Sequence, residues 1–115
     1  MIKKPEQMKK LFIERARGGE GVLETLHLFN PDEIKSKHLK FLAKVTLNPG
    51  CSVGVHPHDN DEEIYYVLKG KATLYDNGEK KELFPGMAAL TSGGATHGLE
   101  NNGKEAVEYL AIITD

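Results

Sequence analysis

The sequence contains little of several residue types that point to particular protein classes. Its 115 residues include one cysteine, Cys51, no tryptophan and only two arginines, Arg15 and Arg17. One cysteine cannot form an intramolecular disulfide, so burial of apolar side chains has to stabilise the fold, and a cytoplasmic location is expected. The length fits one domain.

Neither the charge nor the hydropathy pattern indicates a nucleic-acid or membrane partner. Lys+Arg number 15 against 17 Asp+Glu, a formal net charge of -2, and the two signs are mixed along the chain. A phosphate-backbone binder is typically basic. No apolar run approaches the roughly 20 residues that cross a bilayer, and residues 1–6 are too polar for a signal peptide. We therefore expect a soluble protein.

Glycine and proline divide the chain after residue 18 into short segments, which favours strands over helices. Asn77-Gly78 and Asn102-Gly103 each separate two such segments and favour hairpins. Many short strands at near-even spacing predict an all-β antiparallel sandwich or barrel. The predicted strands cover residues 22–29, 39–47, 53–58, 64–68, 71–75, 80–84, 87–91, 96–99 and 106–113.

Two segments are less regular. Asn30 before Pro31 favours a short helical turn through about Lys37. Residues 5–17 contain good helix formers, yet Leu11 and Ile13 alternate with their neighbours as a strand allows, so both conformations stay open. We divide the chain into an N-terminal arm, residues 1–17, and one domain, residues 18–115.

The histidines form the most informative pattern. His56 and His58 are two residues apart and project from the same face of a strand, and Glu63 follows after a polar turn. Two imidazoles and a carboxylate suit Zn, Mn, Fe, Co or Ni, but taken alone this segment more often belongs to a solvated loop with two surface histidines. His97, after a strand and a Gly-Gly turn, strengthens the metal interpretation. His27 and His38 are expected to be ordinary surface or strand residues.

These positions resemble the two motifs of the cupin superfamily. The first motif is matched at five positions and the second at four, while Ser92 replaces a proline and Met87 an aspartate that is frequent there. By chance, the five-position match is expected about once in a million starting points. The matching residues are Gly50, His56, His58, Glu63 and Gly70, and then Gly86, Gly94, His97 and Asn101.

The resemblance implies a fold, a cofactor and an assembly. The fold is an antiparallel double-stranded β-helix, the RmlC-like jelly-roll barrel. The cofactor is one divalent transition metal, Mn, Fe, Ni, Co or Zn, bound by His56, His58, Glu63 and His97. The assembly is a homodimer in which the arm pairs with the partner subunit's sheet.

Strand parity predicts the surroundings of that site. A regular strand from residue 50 to 58 puts Ser52 and Gly54 on the ligand face and Cys51, Val53 and Val55 on the other. On the following strand Tyr65 shares the face of Glu63, and it is the candidate catalytic residue. Around His97 the same parity directs three residues to the pocket, namely Ala95, Leu99 and Asn101.

The resemblance permits two kinds of function. The first is a metal-dependent enzyme, a dioxygenase, isomerase or decarboxylase acting on a small metal-chelating metabolite, with Tyr65 and Glu62 as the available general bases. The alternative is a non-catalytic, metal-assisted binding or sensing module. Because arginine commonly clamps dicarboxylates and sugar phosphates, such substrates are disfavoured unless Arg15 or Arg17 reaches the pocket.

Overall fold

A computed structural model describes residues 1–115 and contains ten strands in two antiparallel sheets. The larger sheet has the order β1-β2-β3-β10-β5-β8 and the smaller has the order β4-β9-β6-β7. The strands are β1 (Lys9–Glu14), β2 (Val22–His27), β3 (Leu39–Leu47), β4 (Ser52–Pro57), β5 (Glu62–Lys69), β6 (Ala72–Asp76), β7 (Glu79–Leu83), β8 (Ala88–Thr91), β9 (Thr96–Glu100) and β10 (Val107–Thr114).

The core lies between the inner faces of the two sheets. In β5, Glu63, Tyr65 and Val67 are buried while Ile64 and Tyr66 between them are exposed, the two-residue period of a strand with one buried face. The inner residues of the facing strands complete the core, among them Val45, Leu47, Leu74, Leu99 and Val107. The predicted all-β antiparallel jelly roll is confirmed.

The two Asn-Gly pairs have different outcomes. Asn77 and Gly78 have φ angles of 49° and 89°, the positive pair of a type I′ turn, and they join β6 to β7 in a hairpin as predicted. The hairpin predicted at Asn102-Gly103 is wrong, because β9 and β10 lie in different sheets. Asn101 is the physical reason: its amide donates to the carbonyls of Leu47 and Glu105, both at 2.8 Å, and directs the chain across the barrel.

The N-terminal segment is a strand between two short 3₁₀ helices, Pro5–Gln7 and Ala16–Gly18. β1 pairs with β2 along its full length, from Lys9 opposite His27 to Glu14 opposite Val22. Within one chain the arm therefore extends the larger sheet and forms its edge strand. Both helical segments have three residues, far too few to cross a membrane.

Residues 30–37 are less helical than predicted. A single turn at residues 31–33 is closed by the amide of Glu33, which donates to the carbonyl of Asn30 at 2.9 Å, and no helix continues to Lys37. The Glu33 carboxylate instead accepts from the Asn30 amide and from the Lys3 ammonium, at 2.7 and 2.8 Å. These contacts tie the turn to the N-terminus.

Candidate metal centre

Three strands bring the four candidate ligands to one point inside the barrel. His56 lies on β4, His58 follows the end of β4, Glu63 lies on β5 and His97 on β9. All four side chains are buried, and one ligand atom of each lies within 4.8 Å of the others. The larger sheet contributes the carboxylate, and the smaller sheet and the residue after it contribute the imidazoles. The site thus spans the barrel interior.

A bulge in β4 determines which side chains accompany the ligands. Opposite β9, Val53 pairs with Leu99 but His56 pairs with His97, so β4 has one residue more than its partner between these pairs. The side-chain alternation therefore reverses, and Val53 is buried and lines the cavity beside His56. The prediction that Val53 faces away is wrong. Val55, within the bulge, is 61% exposed as predicted.

Ser52 was also predicted to lie on the ligand face. Because of the bulge, its side chain instead points to the loop before β2. Its hydroxyl accepts from the Glu20 amide and its own amide donates to the Glu20 carbonyl, both at 2.8 Å. Ser52 therefore fastens the loop before β2 to β4.

Each histidine ring is oriented by a partner on its Nδ1 atom. His56 donates through Nδ1 to the carbonyl of Gly54 at 2.7 Å, and His58 donates to the Asp61 carboxylate at 2.6 Å. Nδ1 of His97 lies 2.9 Å from the hydroxyl of Thr91, which can accept in the same way. A neutral imidazole that donates through Nδ1 has its lone pair on Nε2. With Thr91 as the acceptor for His97, the three Nε2 lone pairs point toward one another.

The spacing of these atoms fits a metal ion. Nε2 of His97 lies 3.1 Å from the Nε2 atoms of both His56 and His58, and Oε1 of Glu63 lies 3.0 Å from Nε2 of His58 and of His97. Adjacent ligands at a bond length of ~2.1 Å are about 3.0 Å apart in an octahedron and about 3.4 Å apart in a tetrahedron. Converging lone pairs at this spacing repel unless a cation lies between them, so this donor set fits a divalent ion.

Tyr65 packs directly on this centre. Its ring stacks on that of His97 with centroids 4.8 Å apart and 11° between the planes, and its hydroxyl oxygen is 3.4 Å from Nε2 of His97. Burial, reinforced by the charges of neighbouring groups, raises the pKa of Tyr65 well above its usual value. Tyr65 is therefore protonated near neutral pH and can donate a hydrogen bond.

The pKa of His56 is shifted in the opposite direction to that of Tyr65. Burial is the main reason that the pKa of His56 is lowered, and the positive charge of Arg17 acts in the same direction. Arg17 also opposes the rise in the pKa of Tyr65. Two buried groups at the candidate centre thus experience the charge of one arginine outside the barrel strands.

A cavity of about 320 Å³ leads from the candidate ligands to the surface. We define its floor as the buried lining residues His56, Glu63, Tyr65 and Tyr109, together with His58 and His97, which are buried beside them but do not line the cavity. We define its mouth as the more exposed lining residues Ile13, Arg17, Phe41 and Ile113. Ten of the thirteen lining residues are hydrophobic. A mostly apolar cavity with a few convergent polar groups is typical of small-molecule sites.

Arg17 reaches the mouth because of an unusual turn. Arg15 and Arg17 both have left-handed backbones, with φ of 49° and 53°, a conformation that costs about 1–2 kcal/mol for a residue other than glycine. The turn also lies directly against β4: a Cβ atom at residue 54 would collide with the Arg17 carbonyl oxygen, so Gly54 is required there. Arg15 does not line the cavity.

The other polar residues that the sequence singled out lie outside the centre. Glu62 is exposed, and neither His27 nor His38 belongs to the buried cluster. His27 contacts the Thr25 hydroxyl at 3.1 Å and packs edge-on against Phe41. Asn101 is buried but structural, and it is not among the cavity residues.

Two residues that orient the ligands were not singled out by the sequence. Asp61 is an acidic residue three positions after a candidate ligand, so its spacing was a usable signal. Thr91 is next to His97 only because β8 pairs with β5, which places Thr91 opposite Glu63. No local pattern could have revealed that contact.

The chain is similar to several known proteins. The family model described as Cupin domain matches residues 43–113. A protein from Thermotoga maritima named oxalate-binding protein is 34% identical over 113 residues, which cover 98% of this chain and 93% of the relative.

Solved structures show a similar relationship. The crystal structure of a predicted oxalate decarboxylase from Thermotoga maritima has a TM-score of 0.91 at 33% identity, covering 99% of this chain and 98% of the other. That of a putative sugar phosphate isomerase from Acidithiobacillus ferrooxidans has a TM-score of 0.71 at 27% identity, covering 82% of this chain and 60% of the other.

Proposed function

This chain belongs to the cupin domain family, and from that premise we propose that it binds a divalent transition metal and, on it, a small chelating carboxylate. The observation that carries the proposal is the buried group of three Nε2 atoms and one carboxylate oxygen, with neighbouring atoms 3.0–3.1 Å apart. This spacing favours an octahedral ion such as Mn, Fe, Co or Ni over tetrahedral zinc. His56, His58, Glu63 and His97 would hold the ion.

When bound, such an ion supplies Lewis acidity and two coordination positions that the four protein ligands leave open. The protein residues then orient and enclose the ligand. Gly54, Asp61 and Thr91 hold the imidazole rings in their binding tautomers. The apolar walls, including Val45 and Val53, exclude water, and the protonated hydroxyl of Tyr65 can donate to an oxygen of the ligand.

Metal chelation, the cavity volume and the similar proteins indicate the same class of ligand. A small dicarboxylate chelates a metal through one oxygen of each carboxylate and fits a cavity of about 320 Å³. The names oxalate-binding protein and predicted oxalate decarboxylase, given to the similar Thermotoga maritima proteins, point to the same class. Oxalate is therefore the first compound to test.

Binding without turnover is the form of the proposal that the cavity residues favour. Apart from the candidate ligands, the polar lining consists of Arg17, Tyr65 and Tyr109. Burial raises the pKa of both tyrosines, so their hydroxyls stay protonated at neutral pH. Arg17 is already protonated and cannot accept a proton. A decarboxylase would have to take a proton-accepting group from among the metal ligands or from the substrate.

Metal analysis and calorimetry test the proposal together. We expect the purified protein to contain close to one transition-metal ion per chain by elemental analysis. Oxalate should bind to the metal-loaded protein and not to the protein stripped by a chelator. A tetrahedral Co(II) spectrum after substitution with cobalt, or equal oxalate binding with and without metal, would contradict it. Carbon dioxide or formate released from bound oxalate would identify an enzyme instead of a binding module.

We also propose that the protein is a homodimer located in the cytoplasm. The outer face of the larger sheet carries exposed apolar side chains, including Ile64, Tyr66, Leu68 and Leu90, and a contiguous apolar surface is typical of an interface. A second copy supplies a matching surface under two-fold symmetry. Light scattering of Tyr66→Asp should then give the monomer mass, whereas a wild-type monomer would contradict the dimer. The single free Cys51 supports the cytoplasmic location.

A further inference from the structure

The cavity has one permanent positive charge, and it is at the mouth. Among the thirteen lining residues Arg17 is the only lysine or arginine. Both arginines of the chain precede residue 18, yet only Arg17 lines the cavity. Arg17 as a whole is exposed, and its charge acts on the buried His56 and Tyr65, so the positive charge lies where the cavity opens to solvent.

The backbone of Arg17 is held firmly, although its side chain is free. Ala16 is buried in the core, and the Arg15 amide donates to the Gly21 carbonyl at 2.8 Å. Gly19 and Gly54 allow the turn to lie against β4 without a side chain between them. The Gly54 carbonyl also accepts from His56, so a single residue contacts both the turn that carries Arg17 and a candidate ligand.

We propose that Arg17 is the residue that selects doubly charged ligands, by pairing with the carboxylate oxygens that face away from the metal. This inference rests on the proposed function. A dicarboxylate that chelates through two oxygens retains two outer oxygens that carry negative charge. The apolar walls around them, such as Phe41 and Ile113, cannot solvate that charge. A guanidinium binds two such oxygens with its planar pair of donors.

The test compares variants of two neighbouring arginines with two ligands. Wild type, Arg17→Gln, Arg17→Lys and Arg15→Gln are loaded with Mn(II), and their dissociation constants for oxalate and for oxamate are measured by calorimetry. Arg15→Gln is the matched control, because it removes an equal charge from the same turn without touching the cavity. Metal content and circular dichroism of each variant show that the site and the fold are intact.

The expected effect is confined to Arg17. Arg17→Gln should weaken oxalate binding on the order of 10- to 100-fold and reduce the preference for oxalate over oxamate. Arg17→Lys should lie between Arg17→Gln and wild type, since it keeps the charge and loses the paired donors. Arg15→Gln should bind both ligands as wild type does, and all four proteins should contain the same amount of metal.

Two other outcomes would overturn the assignment, and they are distinguishable. If Arg17→Gln binds oxalate as tightly as wild type at equal metal content, Arg17 has no selecting role, while the proposed function stands. If the metal-loaded wild type binds neither oxalate nor oxamate, the proposed function fails and the role of Arg17 fails with it.

Discussion

The floor and the mouth of the cavity are stabilised in different ways. At the floor, the ligands come from strands in both sheets, their side chains are at most 8% exposed, and each imidazole is oriented by a second hydrogen bond. At the mouth, Arg17 is exposed and is placed by a strained turn whose contacts are made by backbone and glycine. The floor is thus suited to holding a metal in one geometry, and the mouth to discriminating among ligands.

Because the two regions differ, single substitutions should affect metal binding and ligand selectivity separately. A change at the floor should remove the metal, and every ligand with it, whatever the charge of the ligand. A change at the mouth should leave the metal in place and alter the choice of ligand. Gly54 contacts both regions, so its substitution should be the exception to this separation.

The largest effect is expected from removing a ligand at the floor. His58→Ala should reduce the metal content to below about a tenth of that of wild type and remove the metal-dependent gain in thermal stability. His38→Ala, an exposed histidine outside the cluster, is the control and should retain the metal. Elemental analysis and thermal unfolding measure both. Equal metal content in His58→Ala and wild type would refute the ligand assignment.

The next largest effect is expected from Gly54, which contacts both the floor and the mouth. Gly54→Ala places a Cβ against the Arg17 carbonyl oxygen and the backbone of Gly19, so it should lower the free energy of unfolding by about 1–3 kcal/mol. Urea denaturation measures this loss, and oxalate binding should weaken along with it. Gly103→Ala is the control, because its added Cβ meets only the Asn101 side chain at 3.4 Å. Equal stability of the two variants would show that the turn can move away from β4 without cost.

A smaller effect is expected one layer behind the ligands. Asp61→Ala removes the acceptor on Nδ1 of His58 and should weaken metal affinity about 10- to 100-fold, without unfolding the protein. Competition with a metallochromic chelator measures the affinity. Asp59→Ala, in the same turn but without that hydrogen bond, should be unaffected. If both variants bind the metal equally well, the hydrogen bond of Asp61 contributes nothing to the floor.

Local patterns explain why much of the fold was predictable. The strands were recognised from short apolar segments between turns, and Asn77-Gly78 forms the predicted hairpin because its preferred left-handed turn matches the twist of the flanking strands. Asn102-Gly103 contains the same residues and does not form one. There the buried Asn101 side chain bonds to Leu47, 54 residues away, a contact that no local pattern contains.

In the candidate site, too, some features were predictable from the sequence and others were not. The resemblance to the cupin motifs implied His56, His58, Glu63 and His97 as ligands, and the structure brings them together. The faces assigned to Ser52 and Val53 were wrong because strand parity assumes a regular strand and β4 contains a bulge. Gly54, a glycine inside a predicted strand, was the signal for that bulge.

The sequence by itself determined the strand pattern, the cupin motifs and the set of four candidate ligands. The strand pattern depends on residue type and short spacing, which local backbone periodicity converts into position, and the four candidate ligands follow from the resemblance to the cupin motifs. Only the tertiary structure decided that Val53 faces inward, that Thr91 supports His97 and that Arg17 lines the cavity while Arg15 does not. These outcomes depend on strand register and on close packing between segments distant in sequence, and a register shift of one residue reverses every side chain.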